Sequence, residues 1–224
     1  MTIAPKLIVM LTRNDLTVSN AAEIFAQCKD SRADYWGMKE QPLPIPEMER
    51  LFAYMKSCGK STFLEVVATT EEEGLRGAET AHRCGCDYLL GTIYSDAVND
   101  YCKSHNIKYM PFVGKVYGRP SVLEGTVEEM VAEAKDYIAR GVYGIDLLGY
   151  RFTGDVLRLN RELISRVKAP VCLAGSIDSF ARLDEVKKVA PWSFTIGSAF
   201  FNNRFLPDTS LSPLSSPSAQ SSLS

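Results

Sequence analysis

Short apolar segments alternate along the chain with longer amphipathic ones, a rhythm typical of βα units that build a parallel sheet. Several of the short segments are almost wholly apolar, as strands buried on both faces should be. The eight predicted strands are residues 7–11, 34–38, 62–67, 88–91, 109–113, 144–148, 171–174 and 193–196.

The amphipathic segments predict helices, two of which begin with a recognisable signal. Thr70 and Thr126 each stand three residues before a glutamate, the spacing of a capping box that opens a helix. The first predicts a helix to about Cys84, and the second a helix to about Arg140, where Gly141 follows. Further helices are predicted over residues 21–28, 46–57, 96–104, 155–167 and 179–189.

Eight βα repeats predict that residues 1–205 form one (β/α)8 TIM barrel. The alternative is an open doubly wound sheet, which usually has fewer strands and a glycine fingerprint after the first one. Here the first strand is followed by Thr12-Arg13-Asn14-Asp15, which contains no glycine. The barrel is therefore the favoured fold class.

The end of the chain departs from this pattern. Residues 206–224 are rich in Ser, Pro and Leu without periodicity, which predicts a disordered tail. Only residues 199–205 are left to cover the seam between the last and first strands, so the last helix is predicted to be short or missing. An altered terminus of a defective enzyme, or a seam buried in a homodimer, would be compatible with this ending.

Composition and charge exclude several classes of partner. The net charge of -2 and the absence of a basic stripe disfavour nucleic acid. Without a signal peptide or an apolar run of roughly 20 residues, no membrane partner and a cytoplasmic location are expected. The six cysteines are scattered, and Cys84-Gly85-Cys86 lacks further ligands nearby, so no metal or other cofactor is expected.

One segment imitates a nucleotide-binding P-loop. Gly59-Lys60-Ser61-Thr62 matches the end of that motif, but Tyr54 stands where the motif needs another glycine. The segment also precedes a predicted strand, whereas a P-loop leaves a strand and enters a helix. It is interpreted as a helix end and a connector.

Two Gly-Ser turns follow the last two predicted strands. Gly175-Ser176 and Gly197-Ser198 let backbone amides approach an anion closely, and a short helix from Ser198 would add its unpaired N–H groups. TIM barrels often build a phosphate site from these two loops. The pair predicts a phosphate site formed by Gly175, Ser176, Gly197 and Ser198; the alternative is two ordinary tight turns.

Residues 171–201, which contain these turns, resemble the ribulose-phosphate-binding barrel superfamily. That superfamily includes the histidine- and tryptophan-biosynthesis isomerases, pentulose-phosphate epimerases, and related aldolases and decarboxylases. The resemblance implies a TIM barrel and a small phosphorylated substrate without selecting a reaction. The strand around Glu65 is also similar to the glutamate-bearing strand of the keto-deoxy-phosphogluconate aldolases, although it is the third strand here.

Four charged residues lie within or just after predicted strands. A charge on the outer face would be pressed against the helices without water, so these side chains are expected to face the barrel mouth. A buried ion-pair network that only fills the barrel is the alternative for each. The four are Lys39, Glu65, Lys115 and Asp146; weaker candidates are Asp15, Arg13, Arg151, Tyr94, Ser95 and Tyr117.

These residues are compatible with three kinds of function. In an isomerase or epimerase, Glu65 and Asp146 would act as acid and base beside a carbonyl, and a lysine would stabilise the enolate. A Schiff-base aldolase would instead use Lys115 or Lys39 as its nucleophile. The third possibility is a barrel that binds a phosphorylated metabolite without turnover.

Overall fold

Eight parallel strands form a nearly closed barrel in the computed structural model, which describes residues 4–206. The strands within the described residues are β1 (Lys6–Met10), β2 (Thr12–Arg13), β3 (Leu16–Thr17), β4 (Tyr35–Lys39), β5 (Ser61–Val66), β6 (Tyr88–Gly91), β7 (Lys108–Met110), β8 (Lys115–Tyr117), β9 (Val122–Glu124), β10 (Ile145–Leu147), β11 (Val171–Leu173) and β12 (Ser193–Ile196). Neighbours in the barrel follow the order β10-β11-β12-β1-β4-β5-β6-β7. The predicted TIM barrel is confirmed.

Barrel closure depends on the junction between β7 and β10. The backbone N–H of Asp146 donates to the carbonyl of Pro111 at 3.0 Å, and Phe112 forms a parallel bridge with Asp146. The N–H of Tyr143 donates to the carbonyl of Tyr109 at 2.9 Å. One predicted site residue, Asp146, therefore lies on the strand that completes the barrel.

Helices cover the outside of the barrel. They are α1 (Ala21–Cys28), α2 (Ile45–Ser57), α3 (Glu71–Arg83), α4 (Asp96–Ser104), α5 (Val127–Ala139), α6 (Val156–Arg166), α7 (Phe180–Val189) and α8 (Ser198–Phe201). The hydroxyls of Thr70 and Thr126 accept from the N3 amides of α3 and α5, and Glu129 completes a full capping box at Thr126. None of the described helices combines the length and apolarity that crossing a membrane requires.

The barrel interior is filled by large side chains from most of its strands. Phe63 of β5 stacks on Tyr88 of β6 with ring centroids 4.2 Å apart. The other buried members of this cluster are Ile8, Met10, Leu90, Met110 and Cys172. Alternate residues of a strand face the same side. Because Phe63 faces the barrel interior, Glu65 also faces inwards, one layer closer to the mouth. This inward orientation agrees with the period-two prediction.

A hairpin formed by β8 and β9 places Lys115 elsewhere than predicted. After β7 the chain does not stop at the barrel mouth. Gly114, with a φ of 72°, turns the backbone into the antiparallel pair β8–β9. The Lys115 side chain is 76% exposed and lies 3.9 Å from Glu124. The expectation that Lys115 faces the barrel mouth was therefore wrong.

The last helix of the described residues, α8, has only four residues, as the short ending predicted. Phe200 on this helix and Leu206 after it are exposed. The predicted disorder of 206–224 falls, apart from Leu206, outside the described residues. The homodimer that could cover this seam stays a prediction.

Candidate active site

A cavity of about 220 Å³ opens at the carboxyl ends of the barrel strands. It lies between the two Gly-Ser turns and the charged residues of β4 and β5. The polar and charged residues that line it are Thr12, Asp15, Lys39, Glu65, Ser121, Arg151, Ser176, Asp178, Thr195, Ser198, Asn202 and Arg204. The volume is below the ~300–1,000 Å³ of pockets for drug-sized ligands, so the cavity suits a small molecule.

Lys39 holds the centre of the charged wall. Its Nζ lies 2.8 Å from Asp15 Oδ1 and 3.0 Å from Glu65 Oε1, and the three side chains are 6%, 14% and 8% exposed. Burial alone would lower the pKa of an amine, but the negative charges and hydrogen bonds of Glu65 and Asp15 raise the pKa of Lys39 above its ordinary value. Lys39 is therefore a stable ammonium in this site.

Asp15 reaches Lys39 from the short hairpin β2–β3. Asn14 and Asp15 form its two-residue turn with φ of 51° and 67°, and asparagine and aspartate tolerate this conformation. Thr17 ties the hairpin to β4, because its hydroxyl accepts from the Lys39 amide at 2.9 Å and donates to the Lys39 carbonyl at 2.8 Å. The Asn14-Asp15 pair is typical of a two-residue hairpin turn. This sequence signal would have favoured Asp15 as a site residue over a charge on a solvated loop.

The ionisation of Asp15 follows from this contact. Burial by itself raises the pKa of the carboxyl, but the charge and hydrogen bond of Lys39 outweigh it. Arg151 and Arg119 lower the pKa further, so the value lies below the usual one for aspartate. Asp15 is consequently an anion that helps to keep Lys39 protonated.

Asp146 has the opposite environment. Its side chain is buried, and neither carboxyl oxygen has a hydrogen-bond partner among residues 4–206. Burial raises the pKa of Asp146 well above its usual value, the negative charge of Glu65 raises it further, and Lys39 offsets only part of this. These surroundings favour the neutral acid, which can donate a proton.

The turn at Gly175-Ser176 has a geometry that requires glycine. Gly175 has a φ of 121°, and a Cβ there would lie 2.9 Å from the Cβ of Tyr150. Arg182 then fixes the loop, because its guanidinium donates to the carbonyl of Ser176 and pairs with Asp178 at 3.1 Å. The loop is thus held against the mouth by packing on one side and an ion pair on the other.

The turn at Gly197-Ser198 packs against the first strand and its hairpin. A Cβ at Gly197 would lie 2.4 Å from Thr12 Oγ1, so only glycine allows this approach. The Asn14 amide donates to Ser198 Oγ at 3.0 Å. Because the Ser198 hydroxyl accepts this bond, its own proton is free to be donated elsewhere.

Arg151 and Arg204 also line the cavity, and they add positive charge to the wall that carries the Gly-Ser turns. Arg151 belongs to a short 3-10 turn (Gly149–Arg151) after β10. Sequence reasoning ranked Arg151 as a weak candidate and did not find Arg204.

Five further polar cavity residues were also missed, namely Thr12, Ser121, Asp178, Thr195 and Asn202. For Thr195 a signal existed, since Ser193 and Thr195 alternate with Phe194 and Ile196, and the latter two pack into the outer core. Ser121 belongs to a hairpin that the sequence pattern did not predict.

The remaining weak candidates lie elsewhere. Arg13 is exposed on the β2–β3 hairpin, and Ser95 caps α4 while donating to Glu71 at 2.6 Å. Tyr94 stacks on Tyr137 with centroids 4.3 Å apart. Tyr117 is exposed and donates to Glu124 at 2.6 Å. The cavity lining therefore includes Lys39, Glu65, Asp15 and Arg151 with both Gly-Ser turns. It does not include Asp146, which is buried, or Lys115, and it does not include the other weak candidates.

Buried pairing of Lys39 can be tested by removing its charge. The Lys39→Met substitution should lower the free energy of unfolding by about 3–5 kcal/mol, because it leaves Asp15 and Glu65 buried without a cation. The matched control is Lys56→Met, whose pair with Asp87 at 3.1 Å is 45% and 32% exposed; it should cost about 1 kcal/mol or less. Equal losses in urea unfolding would contradict the buried network.

The raised pKa of Asp146 predicts a pH-dependent effect of Asp146→Asn. Stability from the neutral acid is fully present below the unfolded pKa, about 3.9, and is lost as pH rises through the higher folded value. The unfolding free energy of the wild type relative to Asp146→Asn should therefore fall from about pH 4 upwards.

Asp96 provides a control of opposite sign. It is exposed, and the hydrogen bond from Tyr94, together with Arg140, lowers its pKa. Stability relative to Asp96→Asn is therefore present above the unfolded pKa and declines as pH falls. Parallel pH profiles for the two variants in urea unfolding would show that Asp146 does not have the environment described.

Solved structures of similar fold include enzymes and one regulatory protein. The N-acetylmannosamine-6-phosphate 2-epimerase of Clostridium perfringens matches with a TM-score of 0.64 and 15% identity, over 91% of this chain and 93% of that one. The phosphoribosylanthranilate isomerase of Thermotoga maritima matches with a TM-score of 0.58 and 13% identity, over 87% of each chain. The glycerol uptake operon antiterminator regulatory protein of Listeria monocytogenes matches with a TM-score of 0.59 and 13% identity, over 86% of this chain and 91% of that one.

The sequence matches no protein-family model and no curated protein. The structural neighbours include members of the ribulose-phosphate-binding barrel superfamily, the group that residues 171–201 resemble. At these sequence identities the likeness shows that the fold is shared, and it carries no information about the reaction. The chain therefore has the TIM-barrel fold that these proteins share.

Proposed function

We propose that this chain is an isomerase or epimerase of a small phosphorylated sugar or keto compound. The observation that carries the proposal is that one cavity is lined by both Gly-Ser turns and by the buried Lys39–Glu65 pair. A phosphate bound at the turns would leave the organic part of the same molecule facing the charged wall. The small volume of the cavity favours a substrate of this size.

Phosphate binding is assigned to Gly175, Ser176, Gly197 and Ser198. Glycine at both turns allows close approach of the backbone, and the Ser198 proton is available to an acceptor. Arg151 and Arg204 supply the positive charge that a phosphate dianion needs in a cavity with several carboxyl groups. Phosphorylated substrates also appear in the names of the epimerase and of other enzymes with this fold.

Proton transfer is assigned to the two carboxyl groups in different roles. Glu65, held beside the Lys39 ammonium, would take a proton from the carbon next to the carbonyl. The electron pair would move to the carbonyl oxygen, where Lys39 stabilises the enolate by charge. Asp146 is kept neutral by burial and does not line the cavity, so in this role the substrate would have to reach it before it returned a proton, either to the other face of the same carbon or to its neighbour.

The Schiff-base alternative is less well supported. A nucleophilic lysine must lose its proton, and the raised pKa of Lys39 opposes this. Lys115 is exposed on a hairpin and does not line the cavity. An aldolase would therefore require the substrate itself to displace the carboxylates from Lys39.

A binding barrel without turnover is kept as the second candidate. The specific observation in its favour is the Listeria regulatory protein, which has the same fold at a TM-score of 0.59. The two candidates share the phosphate site and differ in whether Glu65 moves a proton.

Phosphate binding can be tested with inorganic phosphate in calorimetric titrations. Ser198→Ala should weaken binding about 5-fold, and Arg151→Gln about 10-fold or more, from the values of a neutral and a charged hydrogen bond. The matched control is Arg13→Gln, which removes the same charge from the exposed hairpin nearby. If the control weakens binding as much as Arg151→Gln, only the overall charge matters and the assigned site is wrong.

Proton transfer can be tested by deuterium exchange in heavy water, followed by NMR. The substrates would be ribulose 5-phosphate, N-acetylmannosamine 6-phosphate and related compounds. The wild type should incorporate deuterium beside the carbonyl, and Glu65→Gln should slow this by about 10²–10⁴-fold, the range for a general base.

Two other outcomes would separate the alternatives. Borohydride trapping of a substrate adduct on Lys39 would replace proton transfer by Schiff-base chemistry. Tight binding without exchange, unchanged in Glu65→Gln, would identify a non-catalytic binding barrel.

A further inference from the structure

Ser121 places a buried hydroxyl at the wall of the cavity. The residue lies between β8 and β9, is 5% exposed and lines the same cavity as Lys39 and Glu65. Its Oγ has no hydrogen-bond partner within the part of the chain that the structure describes. Since a serine side chain has three staggered rotamers, rotation about its Cα–Cβ bond can turn this buried hydroxyl towards a ligand in the cavity.

The hairpin that carries Ser121 is fixed to the barrel on two sides. At its tip, Arg119 Nη2 lies 2.6 Å from Oε1 of Glu40, the residue after Lys39. At its base, Leu123 is fully buried, and its carbonyl accepts from the amide of Thr153 at 3.1 Å. The position of Ser121 is consequently set relative to the strand that carries Lys39.

The Arg119–Glu40 ion pair places the hairpin beside β4, the strand that carries Lys39. The positive charge of Arg119, two residues before Ser121, contributes to the lowered pKa of Asp15, which pairs with Lys39. The Gly-Ser turns, by contrast, follow β11 and β12, and Ser198 begins α8. Ser121 is thus placed to meet the organic part of a molecule whose phosphate is held at the turns.

A buried hydroxyl without a partner is energetically unfavourable, since it has lost its hydrogen bonds to water. Asp15 Oδ2 and both oxygens of Asp146 are buried without partners in the same region. A hydroxyl both donates and accepts, so it complements a carbonyl or hydroxyl group better than an apolar one.

We infer that Ser121 determines specificity by hydrogen-bonding an oxygen of the substrate's sugar or keto portion. This inference rests on the proposed function, because the phosphate at the turns orients that portion. It assigns to the β8–β9 hairpin a binding role, so the chain selects an oxygenated organic part as well as a phosphate.

The test compares Ser121→Ala with the wild type for two probes, inorganic phosphate and a sugar phosphate. The sugar phosphate is whichever of ribulose 5-phosphate, glyceraldehyde 3-phosphate and N-acetylmannosamine 6-phosphate binds the wild type most tightly. Ser121→Ala should leave the Kd of phosphate unchanged and raise that of the sugar phosphate about 5-fold, the value of one neutral hydrogen bond. Ser104→Ala, which removes an exposed hydroxyl bonded to the Tyr101 carbonyl, should change neither.

A second measurement separates binding from a structural role. Because Ser121→Ala removes an unpartnered polar atom, the melting temperature without ligand should stay the same or rise. A lower melting temperature, or a sugar-phosphate Kd that does not change, would overturn the inference.

Failure of the proposed function gives a different result. If no sugar phosphate binds more tightly than inorganic phosphate, the organic part is not recognised, and the inference is wrong while the phosphate site stands. If inorganic phosphate does not bind the wild type at all, the proposed phosphate site is wrong and this inference falls with it.

Discussion

The arrangement of the barrel mouth depends on the ion pairs that the buried Lys39 ammonium forms with Asp15 and Glu65. An unpaired charge in this position would be strongly destabilising, so Asp15 and Glu65 must both lie within hydrogen-bond distance. That requirement fixes the β2–β3 hairpin against β4 and holds Glu65 towards the cavity. The same contacts raise the pKa of Lys39, so the site has a fixed positive charge to offer to a developing enolate.

Two carboxyl groups in one small region acquire different properties from their surroundings. Glu65 has a cation beside it, whereas Asp146 is buried and has no hydrogen-bond partner in residues 4–206. This contrast is the kind of environment that separates an acid from a base within one site. A network that served only to fill the barrel would pair Asp146 as well, and the unpaired carboxyl therefore favours a chemical role.

Different strands of the barrel supply the two requirements of the proposed reaction. The turns after β11 and β12 present glycine backbone, and Arg151 and Arg204 add positive charge, which together suit a phosphate. The ends of β4 and β5 present the charged pair. Many TIM barrels place sites at this end of the strands, since the loops there vary without disturbing the core. Enzymes and a regulator share this fold, so the reaction has to be argued from the cavity residues themselves.

Hydrophobic rhythm, capping signals and the paired Gly-Ser turns were sufficient to predict the TIM barrel, its short last helix and the inward direction of Glu65. These features are local, because a strand's alternation or a helix cap depends on residues close together in the chain. The partners of Lys39 and the exposure of Lys115 depended on two hairpins that only the tertiary structure shows. Asp15 and Ser121 lie far along the chain from the residues they accompany, and no sequence spacing records which loop folds over the mouth. Barrel closure brings these distant segments to one cavity, and it decided which charged residues belong to the candidate site.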